Sequence, residues 1–257
     1  MIKNITNGEM VVTHAYGKID APEGRTNKDW CREMGVTHCQ TIEQVVNESD
    51  YIVVLSPDNP EMHEELCQVP LRSGKPTYVD KTFAPTKEIA VRLVNLAKEH
   101  DTPMYSSSAL RFSKEIMELE KGEIDFITSV GPGAIENYLI HQVEPMVALM
   151  DCPATSLMYT GTERTVCLLI NFENDKQGTI SMLVDGCDFS SFIRYKSGKT
   201  AIIVAATEYF DRFIVSMVEF FRTGNCNVDS DQTIEIINIL EKAILGRKTP
   251  NTWISLK

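Results

Sequence analysis

Long hydrophobic runs are missing from this sequence. The longest apolar stretches, YIVVL at 51–55 and AIIVAA at 201–206, are far shorter than the roughly 20 residues that a helix needs to cross a bilayer. The N-terminus also lacks the apolar core of a secretory signal. We therefore expect a cytoplasmic protein without a membrane partner.

Positive charge is scarce as well. The 257 residues include 25 Lys and Arg against 36 Asp and Glu, which gives a net charge of −11 at pH 7. A chain with this charge is not attracted to phosphate backbones or anionic lipid. We therefore do not expect nucleic acid as a partner.

Paired cysteines are absent too. The seven cysteines include no C-x-x-C pair, and their scattered positions predict reduced thiols, not a disulfide framework or a zinc cage. His14, Cys31, His38 and Cys39 have no repeated ligand spacing, so we expect no metal.

Strand-like and helix-like segments alternate in the first half of the chain. Strands are predicted at 9–16, 50–56, 76–80 and 102–108. Helices are predicted between them, at 24–35, starting at 41–44, starting at Asn59, and at 87–100. Because parallel neighbours need a crossover connection, this alternation indicates a parallel sheet.

The pattern changes after about residue 112. Predicted strands at 165–172, 178–186 and 191–196 have no helix of crossover length between them, and two helices are predicted at 208–222 and 230–246. Strands with such short connections favour an antiparallel sheet. We therefore expect two domains, residues 1–112 and residues 113–257.

Polar residues stand at the ends of the predicted parallel strands. Ser56-Pro57, Asp80-Lys81 and Ser106–Ser108 follow three of them, and open parallel sheets bind ligands beyond the carboxyl ends of their strands. Successive strand residues point to opposite faces, so Asp80 and Lys81 can both face the crevice only if the strand has already ended. We expect one of them to face it.

Two segments resemble the Gfo/Idh/MocA oxidoreductases. The first is DYIVVLSP, then His63, then SGKPTYVDKTFAPTKEIAVRLVNLAKE, where that family typically has T-P, a histidine and G-K-H-V-x-x-E-K-P. The second is ENYLIHQVEPMVALMD, with Asn137, His141 and Glu144 at the polar positions of a D-x-x-x-H-x-x-D segment.

The resemblance implies an incomplete Rossmann-like parallel-sheet domain followed by an α+β domain with a mainly antiparallel sheet. It also implies hydride exchange between NAD or NADP and a sugar, polyol or related hydroxylated metabolite. His141 would be the acid/base and Lys81 its polarising partner. Asn137 would hold the imidazole if 137–141 is helical, although Pro145 should kink or restart the helix there. The expected cofactor-binding residues are Ser56, Pro57, Asn59, His63 and Asp80.

Plainer roles exist for some of these residues. Lys81 could be a solvated residue at a strand end, and His63 could pack within a helix. A catalytically inactive relative that binds a metabolite or a protein is the alternative function.

The sequence departs from the family at its start. It contains no G-x-G-x-x-G motif and begins at what would be the second strand of a Rossmann-like domain. We therefore expect a reorganised sheet with an exposed apolar edge, and a homodimer or higher oligomer. Thr82 replaces the family's proline, so a cis peptide after Lys81 is not expected, and two extra residues lie between Pro57 and His63.

Overall fold

The computed structural model describes residues 1–20, 23–120 and 122–257. Its first part alternates helices and strands as predicted, although the strands are shorter. The elements are α1 (Ile2–Ile5), β1 (His14–Ala15), α2 (Asn27–Met34), β2 (Thr37–His38), α3 (Ile42–Glu48), β3 (Ile52–Val54), α4 (His63–Leu66), β4 (Thr77–Val79), α5 (Lys87–Glu99) and β5 (Met104–Tyr105).

Threonine caps explain where three of these helices begin. The hydroxyls of Thr26, Thr41 and Thr86 accept backbone hydrogen bonds at the starts of α2, α3 and α5, which satisfies N–H groups that have no partner inside the helix. Gly35 ends α2 in the left-handed region, with φ of 67°.

The parallel strands form two separate sheets. β1 pairs with β2, and β3, β4 and β5 form a second sheet, all in parallel. This confirms the predicted incomplete Rossmann-like sheet. The strand predicted over 9–16 is reduced to two residues, because backbone groups stay in a strand only where a neighbour pairs with them. Tyr51, Val53 and Leu55, in and beside β3, are 37%, 42% and 59% exposed.

The second part is built on a seven-stranded sheet. Its elements are α6 (Lys114–Met117), β6 (Ile124–Pro132), α7 (Ile135–Met150), β7 (Ala154–Gly161), β8 (Thr165–Phe172), β9 (Gln177–Leu183), β10 (Ser190–Tyr195), β11 (Thr200–Ile203), α8 (Tyr209–Thr223), α9 (Ser230–Gly246) and β12 (Trp253–Ser255). The strand order is β11-β10-β6-β9-β8-β7-β12, and β6 with β9 is its one parallel pair. The sheet is therefore mainly antiparallel, as predicted. Within the described ranges, no helix has the length and apolar character to span a membrane.

Helix α7 carries the second motif without interruption. The helix does not restart at Pro145, because α7 runs from Ile135 to Met150 with Pro145 inside. Proline removes one hydrogen bond from a helix. The buried face of α7 opposes this loss, since Leu139, Val143 and Met150 are fully buried in the main core.

Helix α8 connects the two halves of the chain. Its residues Phe213 and Phe220 pack on Tyr78 of β4 and Tyr105 of β5, with ring centroids 5.4 and 4.9 Å apart in the pairs Tyr78–Phe213 and Tyr105–Phe220. A helix from beyond residue 200 thus covers one face of the N-terminal sheet. The division of the chain at residue 112 stays a prediction.

A buried ion pair joins the same two halves. Glu144 on α7 is 2% exposed and accepts hydrogen bonds from Arg111 Nη1 (3.2 Å) and Ser107 Oγ (2.8 Å). Arg111 also donates to Gln232 on α9 at 2.6 Å. Burial raises the pKa of Glu144, and Arg111 opposes that shift.

Replacing Arg111 with Met is expected to lower the free energy of unfolding by about 3–5 kcal/mol, because Glu144 then stays buried without its cation. Urea unfolding measures the loss. The Arg111→Met/Glu144→Gln double variant should lose less than the two single variants together. Arg247→Met is the control, since its pair with Glu136 is about half exposed on both sides and should cost less than about 1 kcal/mol. An Arg111→Met loss no larger than this control would contradict the assignment.

Candidate active site

A cavity of about 250 Å³ opens where β4 ends. Its polar residues are Asp80, Lys81, Ser107 and His141, and its aromatic residues are Tyr78, Tyr138, Phe189, Tyr209, Phe210 and Phe213. Residues from the parallel sheet, from α7 and from α8 therefore meet around one space. The two catalytic candidates Lys81 and His141 lie on its wall together.

Asp80 and Lys81 both line this cavity. β4 ends at Val79, so the strand has already ended before these two residues and the alternation of a strand no longer applies to them. The peptide bond between Lys81 and Thr82 is cis, against expectation.

The ammonium group of Lys81 has a carboxylate partner. Its Nζ lies 3.0 Å from Oδ1 of Asp58, and the Lys81 side chain is 22% exposed. Asp58 stands in the loop after β3, with φ of 54°. Sequence reasoning missed Asp58, although the two extra residues before His63 pointed to this loop.

His141 sits among aromatic rings and a serine hydroxyl. Its Nδ1 lies 2.7 Å from Oγ of Ser108, and its ring centroid is 5.3 Å from that of Tyr138 and 5.8 Å from that of Phe189. Burial, and then the nearby Lys81 ammonium, lower the pKa of His141 to about 4. The imidazole is therefore neutral at pH 7.

Asn137 does not reach this arrangement. It lies on α7 one turn before His141 but does not line the cavity, and no hydrogen bond joins the two side chains in the described part of the chain. Ser108, not Asn137, is the hydrogen-bond partner of the imidazole, at Nδ1. Ser108 follows β5, so sequence could have suggested it only as a residue at a strand end.

The Asp80 carboxylate lies in a buried polar network. The Tyr78 hydroxyl donates to the carbonyl of Ser107 at 3.1 Å and lies 3.4 Å from Oδ1 of Asp80. Burial raises the pKa of Asp80, and the Lys81 backbone N–H and ammonium oppose this shift. Through Ser107, the same network reaches Glu144 on α7.

The residues expected to bind the cofactor fall into two groups. Ser56, Pro57 and Asn59 follow β3 at the edge of the molecule, half-buried or exposed, whereas Asp80 lines the cavity. His63 is fully buried, and its Nδ1 donates to the carbonyl of Phe83 at 3.0 Å, while Nε2 has no hydrogen-bond partner among the described residues. A side chain with no exposed surface cannot contact a cofactor, so His63 fits the packing role.

The described residues fit one half of a nicotinamide dinucleotide. The cavity with Lys81 and His141 lies at the carboxyl ends of parallel strands, where open sheets bind ligands. The sequence has no G-x-G-x-x-G motif, the turn that usually holds the pyrophosphate half. The turn after β1 is filled by Asn27, whose amide donates to the carbonyls of Gly17 and Ile19 at 3.1 Å. A Cβ at Gly17 would collide with that amide.

A metal site is not evident. In residues 1–20, 23–120 and 122–257, no three His, Cys, Asp or Glu side chains are grouped so that they could hold a metal ion.

Comparisons with known proteins agree with this architecture. Residues 14–107 match the family described as the Gfo/Idh/MocA oxidoreductase family with an NAD-binding Rossmann fold. No curated protein sequence matches the chain.

Solved structures share the fold over nearly the whole chain. Scyllo-inositol dehydrogenase from Lactobacillus casei, with bound NAD(H) and scyllo-inositol, has a TM-score of 0.78 and 13% identity over 95% of this chain and 91% of its own. Myo-inositol 2-dehydrogenase from Lactobacillus plantarum has a TM-score of 0.76 and 11% identity over 95% and 91%. UDP-N-acetylglucosamine 3-dehydrogenase from Acidithiobacillus ferrooxidans has a TM-score of 0.75 and 11% identity over 86% of both chains. The resemblance to the Gfo/Idh/MocA oxidoreductases is thus confirmed, by the match over residues 14–107 and by the fold of the chain.

Proposed function

We propose that this protein is an NAD- or NADP-dependent oxidoreductase that acts on a sugar, polyol or similar small hydroxylated metabolite. One observation carries the proposal: Lys81 from the first half of the chain and His141 from the second line the same cavity at the end of β4. The cavity volume of about 250 Å³ suits a small metabolite. The inositol and sugar dehydrogenases that share the fold support this substrate class.

The two residues meet the chemical demands at the substrate oxygen. When hydride leaves a carbinol carbon, the hydroxyl proton needs an acceptor and the forming carbonyl oxygen gains from a nearby donor or cation. An ammonium group and an imidazole on one wall can divide these tasks. Aromatic residues form much of the remaining wall of the cavity.

The cofactor would be held chiefly through its nicotinamide half. When bound, the nicotinamide ring exchanges the hydride with the substrate carbon. We propose Asp80 at the cavity wall, and Ser56, Pro57 and Asn59 beside it at the end of β3, as the residues nearest to it. The absence of a glycine-rich turn leaves the pyrophosphate without its usual hydrogen-bond donors, so the affinity for the dinucleotide should be low.

The second candidate is a catalytically inactive relative that binds a metabolite or a protein. The missing pyrophosphate cradle favours it. Against it, a scaffold alone has no need for a lysine and a histidine in one cavity. A cytoplasmic location and assembly into a homodimer or higher oligomer also remain proposals, the latter supported by the exposed Tyr51, Val53 and Leu55 near β3.

Titration with NADH, NADPH and reduced nicotinamide mononucleotide, followed by nicotinamide fluorescence, tests the proposed function. We expect the mononucleotide to bind within about tenfold of NADH, a difference below about 1.4 kcal/mol, because the adenosine half gains few contacts. Binding of NADH tighter by a hundredfold or more would show a pyrophosphate site elsewhere. No binding of any of the three at millimolar concentration would reject the enzyme in favour of the binding protein.

Removing either cavity group should impair the chemical step. Lys81→Ala and His141→Ala are each expected to lower kcat by about a hundredfold or more, with little change in nicotinamide affinity. Single-turnover assays over a panel of inositols and sugars measure this. Lys98→Ala on the exposed face of α5 and His38→Ala in β2 are the matched controls. Equal activity of the Lys81 and His141 variants and these controls would remove both residues from the mechanism.

The neutral state of His141 should also appear in the pH dependence of stability. The unfolded histidine takes up a proton below pH 6.5, whereas the folded one does so only near pH 4, so the free energy of unfolding should fall as the pH drops through this window. The contribution of His141 is at most about 3 kcal/mol. Urea unfolding at pH 7, 6, 5 and 4.5 should show a shallower fall in His141→Gln than in the unmodified protein. Parallel curves for the two proteins would contradict the lowered pKa.

A further inference from the structure

The hydroxyl of Ser108 has two hydrogen-bond partners, a backbone N–H group and a histidine ring nitrogen. The backbone N–H of Leu110 donates to Oγ at 3.2 Å, as the cap of a short 3₁₀ turn over residues 109–112. Nδ1 of His141 lies 2.7 Å from the same oxygen. Ser108 is completely buried, so both interactions are shielded from water.

This arrangement decides where the hydroxyl hydrogen goes. In the bond from Leu110 to Oγ, the backbone N–H of Leu110 supplies the hydrogen. The hydroxyl hydrogen of Ser108 therefore takes no part in that bond. Among the described residues, Nδ1 of His141 is its only acceptor. A buried hydroxyl hydrogen without an acceptor costs about 1–3 kcal/mol. Ser108 therefore donates, and Nδ1 accepts with its lone pair.

The remaining question is the charge of the ring. An imidazole whose Nδ1 accepts a hydrogen bond carries no proton there and is therefore neutral, with its single proton on Nε2. The Lys81 ammonium on the same wall further opposes a second positive charge. Nε2 has no partner in the described part of the chain, and His141 lines the cavity. The N–H group is thus the one that a ligand meets.

We infer that Ser108 is a positioning residue that holds His141 as the neutral tautomer protonated on Nε2, so that His141 acts as a hydrogen-bond donor to the substrate oxygen. This inference rests on the proposed function for its catalytic meaning and divides the roles within it. His141 polarises the carbonyl and stabilises the alkoxide, as a fixed neutral donor does in a dry site. Proton transfer falls to Lys81, which reverses the division of roles that the resemblance implies for His141 and Lys81.

The assignment fixes the balance of the reaction. In the reductive direction, a bound reduced nicotinamide would supply the hydride for the new C–H bond, and the carbonyl oxygen would become an alkoxide. The Lys81 ammonium gives that oxygen a proton and becomes a neutral amine. Asp58, at 3.0 Å from Nζ, favours the ammonium before the reaction. His141 keeps its proton throughout and contributes a hydrogen bond.

Long-range ¹H–¹⁵N correlation spectra of the protein at pH 7 test the tautomer directly. The His141 ring, identified by the signals lost in His141→Gln, should show a protonated Nε2 and an unprotonated Nδ1. A protonated Nδ1 with a bare Nε2, or an imidazolium, would overturn the inference. This measurement uses no substrate, so it is independent of turnover.

Variants of two buried serines separate positioning from stability. Ser108→Ala should give signals of both tautomers and a kcat about tenfold lower with KM little changed, and Ser108→Thr, which keeps the hydroxyl, should restore the single tautomer. Ser113→Ala is the matched control, since Ser113 is also fully buried but its hydroxyl has no hydrogen-bond partner in the part of the chain that the structure describes. A single Nε2-protonated tautomer in Ser108→Ala would overturn the role of Ser108.

The two proposals can fail separately. A protein that shows the Nε2 proton but binds no nicotinamide would retain the Ser108–His141 assignment and lose the proposed function. An active enzyme with the proton on Nδ1 would retain the function and lose the assignment.

Discussion

The candidate site depends on one constraint. Lys81 and His141, about sixty residues apart, must be held at the same cavity although they belong to different halves of the chain. The buried pair of Arg111 with Glu144, joined by Ser107, provides this connection. Burying an ion pair costs free energy of hydration, and removing only one partner of a buried pair strongly destabilises a protein. The pair therefore fixes the position of α7 relative to the end of the parallel sheet. Lys81 lies on one side of this connection and His141 one turn before Glu144 on the other. Their proximity follows from the pairing of residues that take no part in the chemistry.

The local signals in the sequence predicted α5, α8 and α9 well. The helix predicted from Asn59 is present only as a 3₁₀ turn over 60–62 and the four-residue α4. Thr86 marks the start of α5, and Gly224 follows the end of α8 with φ of 70°. Such caps act within one turn and are therefore visible in a short window of sequence. β8 was predicted with its observed bounds, because its neighbours in the antiparallel sheet are close in sequence.

Features that depend on distant pairing were not predictable in the same way. β1 shrinks to two residues because its length depends on what lies beside it and not on the apolar pattern over 9–16. Asp58 and Ser108 contact Lys81 and His141 only once the fold brings three strand ends together. Asn137 had the right spacing on α7 but not the right direction. Lys81 and His141 could therefore be identified from the two sequence motifs, whereas their contacts with Asp58 and Ser108 could not.

Helix α8 gives the molecule a further property. It supplies Phe213 to the wall of the cavity and also packs this ring on Tyr78 in the core of the N-terminal sheet. α8 thus lines the cavity and also packs against the N-terminal sheet. Ligand binding in the cavity and the stability of the small parallel sheet are for this reason thermodynamically linked. A mutation that weakens the packing of α8 lowers ligand affinity even where the mutated residue does not contact the ligand.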